Sequence, residues 1–207
     1  MDHEERIKEL LNVPRMFNMS LAESQQQRTG LVKLIREHFG EDFVMAEIGS
    51  YSGGSTEMFA LFCKKVFAID CWADNDNLLQ EGNTVEAAVS NLSEAERIFD
   101  EKMRAYPNVV KVRKLSTVAF SDFADGSLDA IYIDGNHVYN NVCKDITLWF
   151  PKIRDGGTIA GHDYYENIKL AVNNTLGAPL SVYEDCSWVF KKDGSKKYPF
   201  MAEGWHV

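Results

Sequence analysis

The 207-residue sequence has few cysteines and no long apolar run. Its four cysteines are scattered and form no Cys-x-x-Cys pair, which argues against a disulfide framework or a zinc site. No apolar run approaches the ~20 residues that cross a bilayer, and the first residues lack the basic and then apolar pattern of a signal peptide. These absences predict a soluble, cytoplasmic protein that makes no contact with a membrane.

Basic residues are also scarce, with 22 Lys and Arg against 31 Asp and Glu and a net charge of −9. Because this charge repels a phosphate backbone, we expect no nucleic-acid partner. The length and the 45% hydrophobic content suit one domain with a substantial core. We expect a helical segment over 1–40, a core over 41–192 and a tail over 193–207. The aromatic residues of the tail either pack over the site or join another copy of the chain in a homo-oligomer.

Strand and helix patterns alternate along the core. Strand patterns occur at 43–48, 65–70, 108–113, 128–133 and 157–161. Helical patterns occur at 20–39, 55–63, 84–105, 117–123, 138–150 and 166–176. Two short strand patterns, 180–184 and 187–192, predict an antiparallel hairpin at the sheet edge. The sequence therefore predicts an α/β fold with a doubly wound, seven-stranded, mostly parallel sheet and helices on both faces.

Residues 43–55, Phe-Val-Met-Ala-Glu-Ile-Gly-Ser-Tyr-Ser-Gly-Gly-Ser, are the most informative segment. An apolar run typical of a buried strand ends in a glycine-containing loop, and a helical pattern follows. Such a loop lets the backbone approach a ligand at the carboxyl end of a parallel strand. The second strand pattern ends in Asp70, at the separation at which nucleotide-binding folds place an acid for ribose hydroxyls.

The same loop lacks the features of phosphate-binding loops. It does not read Gly-x-Gly-x-x-Gly, and it carries no lysine for a phosphate. The sequence therefore favours a ligand that has a ribose but no phosphate, and a nicotinamide-dependent oxidoreductase is a weak alternative.

Three residues near this ligand edge have two interpretations each. Glu47 lies inside an apolar strand, where a carboxylate needs partners, so it bonds either the glycine loop or an ammonium group. Trp72 follows Asp70 and either covers a ligand or anchors its loop in the core. Ser116 follows the third strand pattern and either offers its hydroxyl to a nucleobase edge or caps the next helix.

Acidic and imidazole side chains follow the fourth and fifth strand patterns. Asp134 ends the fourth, and His162 and Asp163 end the fifth. If these strands are neighbours, their ends lie roughly 5 Å apart. Two carboxylates and an imidazole suit Mg²⁺, Mn²⁺ or Fe²⁺. The alternative is that Asp134 caps the helix near Val138 while the other two residues stabilise a turn, and the spacing leaves both open.

Two further features lie at this edge. His137 stands at a loop-to-helix junction, where an imidazole either accepts a proton from a hydroxyl or is a hydrogen-bonding surface residue. Residues 71–83 are polar and follow a strand end, which is typical of a mobile lid.

These motifs together resemble a known enzyme family. The segment Glu-Ile-Gly-Ser-Tyr-Ser-Gly-Gly-Ser at 47–55 resembles the first motif of class I S-adenosylmethionine-dependent methyltransferases, above all the metal-dependent catechol O-methyltransferase type. The stretches Ile133-Asp-Gly-Asn-His-Val-Tyr and Gly156-Gly-Thr-Ile-Ala-Gly-His-Asp-Tyr164 are similar to the branch of macrocin-type sugar O-methyltransferases and cephalosporin-hydroxylase-like proteins. The resemblance spans residues 44–165 and implies a Rossmann-like fold.

The resemblance also implies roles for single residues. Asp70 would take the ribose hydroxyls, and Ser116 would face the adenine. Asp134, His162 and Asp163 stand where the family places its metal ligands, although His162 replaces the usual carboxylate. His137 stands where the catechol enzymes carry a general base, and Asn136 replaces an aspartate proposed for that role in the sugar enzymes. Residues implied to bind S-adenosyl-L-methionine are Glu47, Gly49, Ser50, Tyr51, Gly53, Ser55, Asp70, Trp72, Ser116 and Asp134.

The function implied by this resemblance is O-methylation assisted by a divalent metal, with Mg²⁺ as the first choice and Mn²⁺ or Fe²⁺ as alternatives. The expected acceptor is a small hydroxylated molecule, either a diol such as a sugar or a catechol-like natural product. One alternative is a metal-dependent oxygenase related to the cephalosporin-hydroxylase-like proteins. Another is a protein that binds the cofactor without catalysis.

Overall fold

The structure, a computed structural model, describes residues 3–13, 20–73 and 92–202 of the chain. Most of the lid predicted over 71–83 lies outside these described residues. The first part of the helix predicted over 84–105 lies outside them as well, and so does Trp205 of the tail.

A seven-stranded sheet forms the centre of the fold. Its strands are β1 Val44–Ile48, β2 Lys65–Asp70, β3 Val109–Arg113, β4 Leu128–Ile133, β5 Ile153–Gly161, β6 Ser181–Val182 and β7 Trp188–Lys191. They are arranged in the order β3-β2-β1-β4-β5-β7-β6. The first five strands in chain order pair in parallel, whereas β7 and β6 run antiparallel at one edge. The predicted mixed sheet with its edge hairpin is therefore confirmed.

Helices connect the strands. They are α1 His3–Leu11, α2 Leu21–His38, α3 Gly54–Phe62, α4 Leu92–Met103, α5 Ser116–Ala119, α6 Tyr139–Trp149 and α7 Glu166–Thr175. Helix α2 begins at the predicted capping box, in which the Glu23 amide donates to the Ser20 hydroxyl and the Ser20 amide donates to the Glu23 carboxylate. Within the described ranges, no helix is both long and apolar enough to cross a membrane.

The core lies in two layers, one on each face of the sheet. Side chains of β1 alternate between them, since Met45 packs with α1, α2 and α3 while Ala46 packs with α6 and α7. Tyr132 and Ile131 of β4 divide in the same way. This alternation is what a doubly wound sheet requires, because both of its faces are buried.

Two element boundaries differ from prediction. Strand β5 was predicted over 157–161 but begins at Ile153, because Gly156 and Gly157 interrupt the apolar pattern without ending the strand. The pairing of β5 with β4 is irregular between Leu128 and Ala130, next to these glycines. The helix predicted over 117–123 is the single turn α5 followed by a 3₁₀ turn at Phe120–Asp122.

The described part of the tail packs on the core. The rings of Tyr198 and Phe200 lie 4.7 and 5.3 Å from that of Phe150, measured between centroids. Phe150 precedes the amino end of β5, whereas the predicted site lies at the carboxyl ends of the strands. These two tail residues therefore do not cover the site.

Candidate active site

The predicted site residues gather where the direction of chain winding reverses. The chain runs outward through β1, β2 and β3 and then returns to place β4 beside β1. The carboxyl ends of β1 and β4 form the crevice in which doubly wound sheets bind ligands. The two ends are close here, since a Cβ added to Gly49 would lie 2.2 Å from the Asp134 carbonyl oxygen. Gly49 also has a φ of +89°, so a glycine is required on both counts.

Glu47 holds the glycine loop together. Its side chain is fully buried, and its carboxylate accepts hydrogen bonds from Ser50 Oγ at 2.8 Å and Ser55 Oγ at 2.5 Å, as well as from Thr56 Oγ1. Of the two interpretations, the structure shows the bond to the loop. The resemblance implied that Glu47 and Ser55 contact the methionine part of the cofactor, but their side chains are buried against one another. The predicted cofactor contacts of this loop stay a prediction.

Burial makes the Glu47 carboxyl a weaker acid than usual. Loss of hydration raises its pKa to about 7, and the hydrogen bonds from the three hydroxyls limit this rise. The carboxyl group therefore keeps its proton to a higher pH than an exposed glutamate does. A neutral carboxyl avoids placing an uncompensated charge directly beneath the loop.

Asp70 organises the next part of the edge. Its two carboxylate oxygens accept hydrogen bonds from the backbone amides of Tyr51, at 2.8 Å, and Trp72, at 2.9 Å. Both donors have a φ of +44°, which is uncommon for residues other than glycine. A carboxylate has about four acceptor positions, so two remain for the hydroxyls of a ribose. This arrangement suits the role that the sequence predicts for Asp70.

The indole of Trp72 anchors its loop. The side chain is 3% exposed, packs on Phe99 of α4 with ring centroids 4.8 Å apart, and donates through Nε1 to the Tyr51 carbonyl at 2.7 Å. Of the two interpretations of this residue, the structure shows the anchor, and a contact with a ligand stays a prediction. Met103 of the same helix stands beside Gly53, where an added Cβ would lie 2.9 Å from its terminal methyl group. Helix α4 therefore supports both loops from behind.

Ser116 has a partner that the sequence did not reveal. Its hydroxyl donates to Asp145 Oδ1 at 2.5 Å, whereas α5 begins with Leu115 as its N-cap and has no side-chain cap. Asp145 is buried in α6, and loss of hydration raises its pKa to about 7, although the bond from Ser116 lowers it. A polar residue at a core-facing position of α6 was the available signal, because a buried carboxylate needs a donor.

Asp134, His162 and Asp163 meet as predicted. One potential ligand atom from each lies within 4.8 Å of those of the other two. The Nδ1 atom of His162 lies 2.8 Å from Asp163 Oδ1 and 4.0 Å from Asp134 Oδ1. Asp134 does not cap α6, which begins after Val138 without a side-chain cap. Instead, the side-chain oxygen of Asn136 accepts a hydrogen bond from the Val138 amide at 2.8 Å, which shapes the turn that carries His137.

The backbone around this cluster is tightly constrained. A Cβ on Gly161 would lie 2.5 Å from both the Ile133 carbonyl oxygen and the Trp188 ring. The Trp188 Nε1 donates to the His162 carbonyl at 3.2 Å, and the His162 amide donates to the Ile133 carbonyl at 3.1 Å. Asp163 follows with a φ of +57°. Such strain occurs where a side chain must be held in one position, as in a ligand or catalytic site.

His137 stands at the mouth of this cluster. Its side chain is 43% exposed, and its Nε2 lies 3.4 Å from Asp163 Oδ2 and 3.8 Å from Asp134 Oδ1. The nearby carboxylate of Asp134 raises the pKa of His137, against the effect of burial. Burial would raise the pKa of Asp163, but the hydrogen bond from His162 and the charges of both histidines lower it.

The donor set of this cluster fits a divalent ion. Two carboxylates and one imidazole provide oxygen and nitrogen ligands of the kind that Mg²⁺, Mn²⁺ and Fe²⁺ accept in proteins. Side chains that are half-buried or buried limit competition from water, since Asp134 and Asp163 are 13% and 16% exposed and His162 is 8% exposed.

Curated relatives match part of this chain. An uncharacterized protein of Sinorhizobium fredii is 26% identical over 132 residues, covering 58% of this chain and 13% of the relative. An uncharacterized protein of Acanthamoeba polyphaga mimivirus is 28% identical over 133 residues, covering 61% of this chain and 53% of the relative. The chain therefore spans about half, or much less, of the length of these relatives.

Solved structures share the fold. The O-methyltransferase NovP is 12% identical, with a TM-score of 0.67 over 93% of this chain and 100% of that protein. The N-methyltransferase NodS of Bradyrhizobium japonicum is 14% identical, with a TM-score of 0.53 over 83% of this chain and 97% of that protein. At such identities these likenesses establish the fold alone.

A family model described as a methyltransferase domain matches residues 46–164, more than half of the chain. The match begins within β1 and ends just after Asp163, so it contains the glycine loop, Asp70 and the acidic cluster. The chain therefore belongs to this methyltransferase-domain family, the class I enzymes that use S-adenosyl-L-methionine.

Proposed function

We propose that this protein is an O-methyltransferase that acts on a small diol- or catechol-like acceptor with the help of a divalent metal. The observation that carries the proposal is the meeting of Asp134, His162 and Asp163 at the carboxyl edge of the sheet. Asp134 belongs to both halves of the site, because its backbone touches Gly49 of the cofactor loop and its side chain joins the metal cluster. A pocket that bound the cofactor without catalysis would have no use for this cluster.

The cofactor site is built from the glycine loop and Asp70. Backbone amides of the loop and of the first turn of α3 suit the carboxylate of the methionine part, because a helix N-terminus favours negative charge. Asp70 suits the ribose hydroxyls. S-Adenosyl-L-methionine supplies an electrophilic methyl group on a sulfonium. The chain's task is then to hold an acceptor oxygen in line with this methyl group at near-attack distance.

The acidic cluster is proposed to hold the metal ion and orient the acceptor. A bound divalent ion supplies positive charge that lowers the pKa of an acceptor hydroxyl. Asp134, His162 and Asp163 would hold it, and two adjacent oxygens of a diol or catechol suit such a site. His137 reaches this position from the solvent side and would take the hydroxyl proton at Nε2. The acceptor oxygen then forms a bond to the methyl carbon as the carbon–sulfur bond breaks.

The fold by itself does not choose the atom that is methylated. NovP and NodS share the fold although their names assign them O- and N-methylation. The proposal therefore rests on the cluster, and NovP agrees with it in reaction type. The prediction that the acceptor is not a nucleic acid also remains part of this proposal.

Transfer of a labelled methyl group tests the proposal. Metal-stripped protein is incubated with S-adenosyl-L-methionine and a panel of catechols and sugars, with and without Mg²⁺ or Mn²⁺. We expect transfer that depends on the ion and falls at least about 100-fold in Asp163→Asn, while the exposed control Asp42→Asn stays unchanged. Equal transfer with and without ions would reject the metal role, and transfer to amines alone would reject O-methylation.

A further inference from the structure

The buried pair of Ser116 and Asp145 lies at the carboxyl end of β3. Strand β3 is the neighbour of β2, and β2 ends in Asp70, the acid suited to the ribose. The glycine loop lies on the other side of β2, at the end of β1. A nucleoside whose ribose sits at Asp70 and whose amino-acid part sits at the glycine loop therefore extends its base toward the end of β3. Ser116 is the half-buried hydroxyl that stands there.

Helix α6 holds Ser116 from two sides. The Ser116 hydroxyl donates a hydrogen bond to Asp145 Oδ1, with 2.5 Å between the two oxygens. Trp149 Nε1 donates to the Ser116 carbonyl at 3.2 Å. These two α6 residues are four apart, so they lie on one face of the helix. The other carboxylate oxygen, Asp145 Oδ2, lies beside Gly135, where an added Cβ would be 3.7 Å away. The position of Ser116 and the direction of its hydroxyl are therefore both set by α6.

The direction of this hydrogen bond limits what Ser116 can offer a ligand. A serine hydroxyl has one proton and two lone pairs. Because the proton points to Asp145, the oxygen has only its lone pairs left to offer a ligand in the crevice. Such an oxygen accepts a hydrogen bond from an amino group and repels a carbonyl oxygen in the same place. The oxygen of Ser116 therefore distinguishes purines by the exocyclic group at position 6, favouring an amino group over a carbonyl.

We propose that Asp145 makes the cofactor site selective for a 6-aminopurine over a 6-oxopurine, by fixing Ser116 as a hydrogen-bond acceptor. Ser116 touches the base, and Asp145 acts through it as a positioning residue. The inference rests on the cofactor site of the proposed function and on neither its metal nor its acceptor.

Competitive calorimetry with two analogues tests this proposal. S-Adenosylhomocysteine and its deaminated form, S-inosylhomocysteine, are titrated into the full chain without metal or acceptor. The titration is made at about pH 8, because burial raises the pKa of Asp145 to about 7. Above this pKa the ionised carboxylate can accept a hydrogen bond from Ser116 but cannot donate one. We expect S-adenosylhomocysteine to bind at least about ten-fold more tightly than S-inosylhomocysteine. The reason is that the inosine compound loses one hydrogen bond to Ser116 and gains a repulsion between two oxygens.

Variants separate this role from simple support of the fold. The ratio of the two dissociation constants should fall to within about three-fold in Ser116→Ala and in Asp145→Leu, and the double variant should lose no more than either single variant. The control Ser121→Ala removes an exposed hydroxyl that donates to the Val118 carbonyl nearby, and it should keep the full ratio. A structural role would weaken both analogues equally and leave the ratio unchanged.

Three outcomes overturn the proposal. They are a wild-type ratio below about three-fold, an unchanged ratio in Ser116→Ala, and an absence of binding by the adenine compound. Because Ser116→Ala removes only a half-buried hydroxyl, it keeps the test decisive if Asp145→Leu does not fold. None of these results depends on methyl transfer, so a failure of O-methylation or of metal dependence would be recognised separately.

Discussion

At the scale of single residues, His137 is the group best placed to move a proton. Its Nε2 faces both carboxylates of the acidic cluster, and its side chain is 43% exposed, so an acceptor can reach it. We predict that His137→Asn lowers kcat by about 100-fold or more, the usual contribution of a general base. Cofactor affinity should change little, because His137 lies on the acceptor side.

Methyl transfer and cofactor calorimetry on the same preparation check this prediction. His3→Asn is the matched control, since His3 is exposed in α1 and far along the chain from the site. A kcat within about three-fold of wild type in His137→Asn would remove the residue from the mechanism. A parallel loss of cofactor binding would instead place it in the cofactor site.

Glu47 gives a prediction about pH. Its folded pKa of about 7 lies above its ordinary value of 4.5, so the folded state holds the proton more tightly than the unfolded state. The resulting stabilisation is complete below about pH 4.5 and is lost as the pH rises through about 7. The free energy of unfolding of wild type should therefore fall relative to Glu47→Gln over this window, by on the order of 3 kcal/mol at most.

Urea unfolding of both proteins between about pH 4.5 and 8 measures this difference. The control is Glu41→Gln, because Glu41 is exposed. Its free energy of unfolding should equal that of wild type throughout this pH range. If the two free-energy curves of wild type and Glu47→Gln run parallel, the buried carboxyl does not hold its proton as described.

The sequence predicted the positions of the site residues better than their partners. Asp134, His162 and Asp163 could be placed together because strand ends of a parallel sheet share one edge. For Glu47 the bond to the glycine loop was one of two interpretations, but its partner Ser55 could not be named. The bond of Ser116 to Asp145 could not be predicted, because it depends on side-chain directions across different elements. The anchoring of Trp72 on Phe99 is of the same kind, since α4 is distant in the sequence.

At the scale of elements, the glycine loop joins β1 to α3 where β4 approaches most closely. Gly49 combines a φ of +89° with an added Cβ position only 2.2 Å from the Asp134 carbonyl oxygen. We predict that Gly49→Ala destabilises the protein by about 2 kcal/mol or more and strongly weakens cofactor binding, because the ends of β1 and β4 must move apart.

Gly177→Ala is the matched control for this substitution. Gly177 has a similar φ of +91°, but an added Cβ there would meet nothing within 4 Å. It should cost only the left-handed backbone strain, about 1 kcal/mol, and leave cofactor binding intact. Urea unfolding and cofactor titration measure both effects, and equal losses in the two variants would contradict the close approach as the cause.

Element types were predicted more accurately than their ends. The apolar runs and the capping box of α2 were sufficient local signals to predict these elements. The residues at the start of β5 carry no such signal. Gly156 and Gly157 normally indicate a turn, and Gly156 does have a φ of +72°. Strand β5 nevertheless continues through them, because hydrogen bonds with Lys192 and the pairing on either side of the irregularity hold it in the sheet. Pairing across a sheet is a property of the fold and leaves no local mark in the sequence.

At the scale of the whole molecule, the order of the strands explains the site. The reversal between β1 and β4 places the glycine loop beside the acidic cluster, so both lie at one edge of one sheet. The alternation of strands and helices predicted this edge. The acceptor did not follow from it, because methyltransferases that share this fold act on different atoms.

The most direct test of the account is a calorimetric titration of Mg²⁺ and Mn²⁺ into metal-stripped protein that is saturated with S-adenosylhomocysteine. We expect one site in wild type that is lost in Asp134→Asn and Asp163→Asn, while both variants still bind S-adenosylhomocysteine. The control Asp42→Asn should keep the site. Binding of neither ion by wild type, or undiminished binding by both cluster variants, would contradict the central claim that this cluster holds a divalent ion.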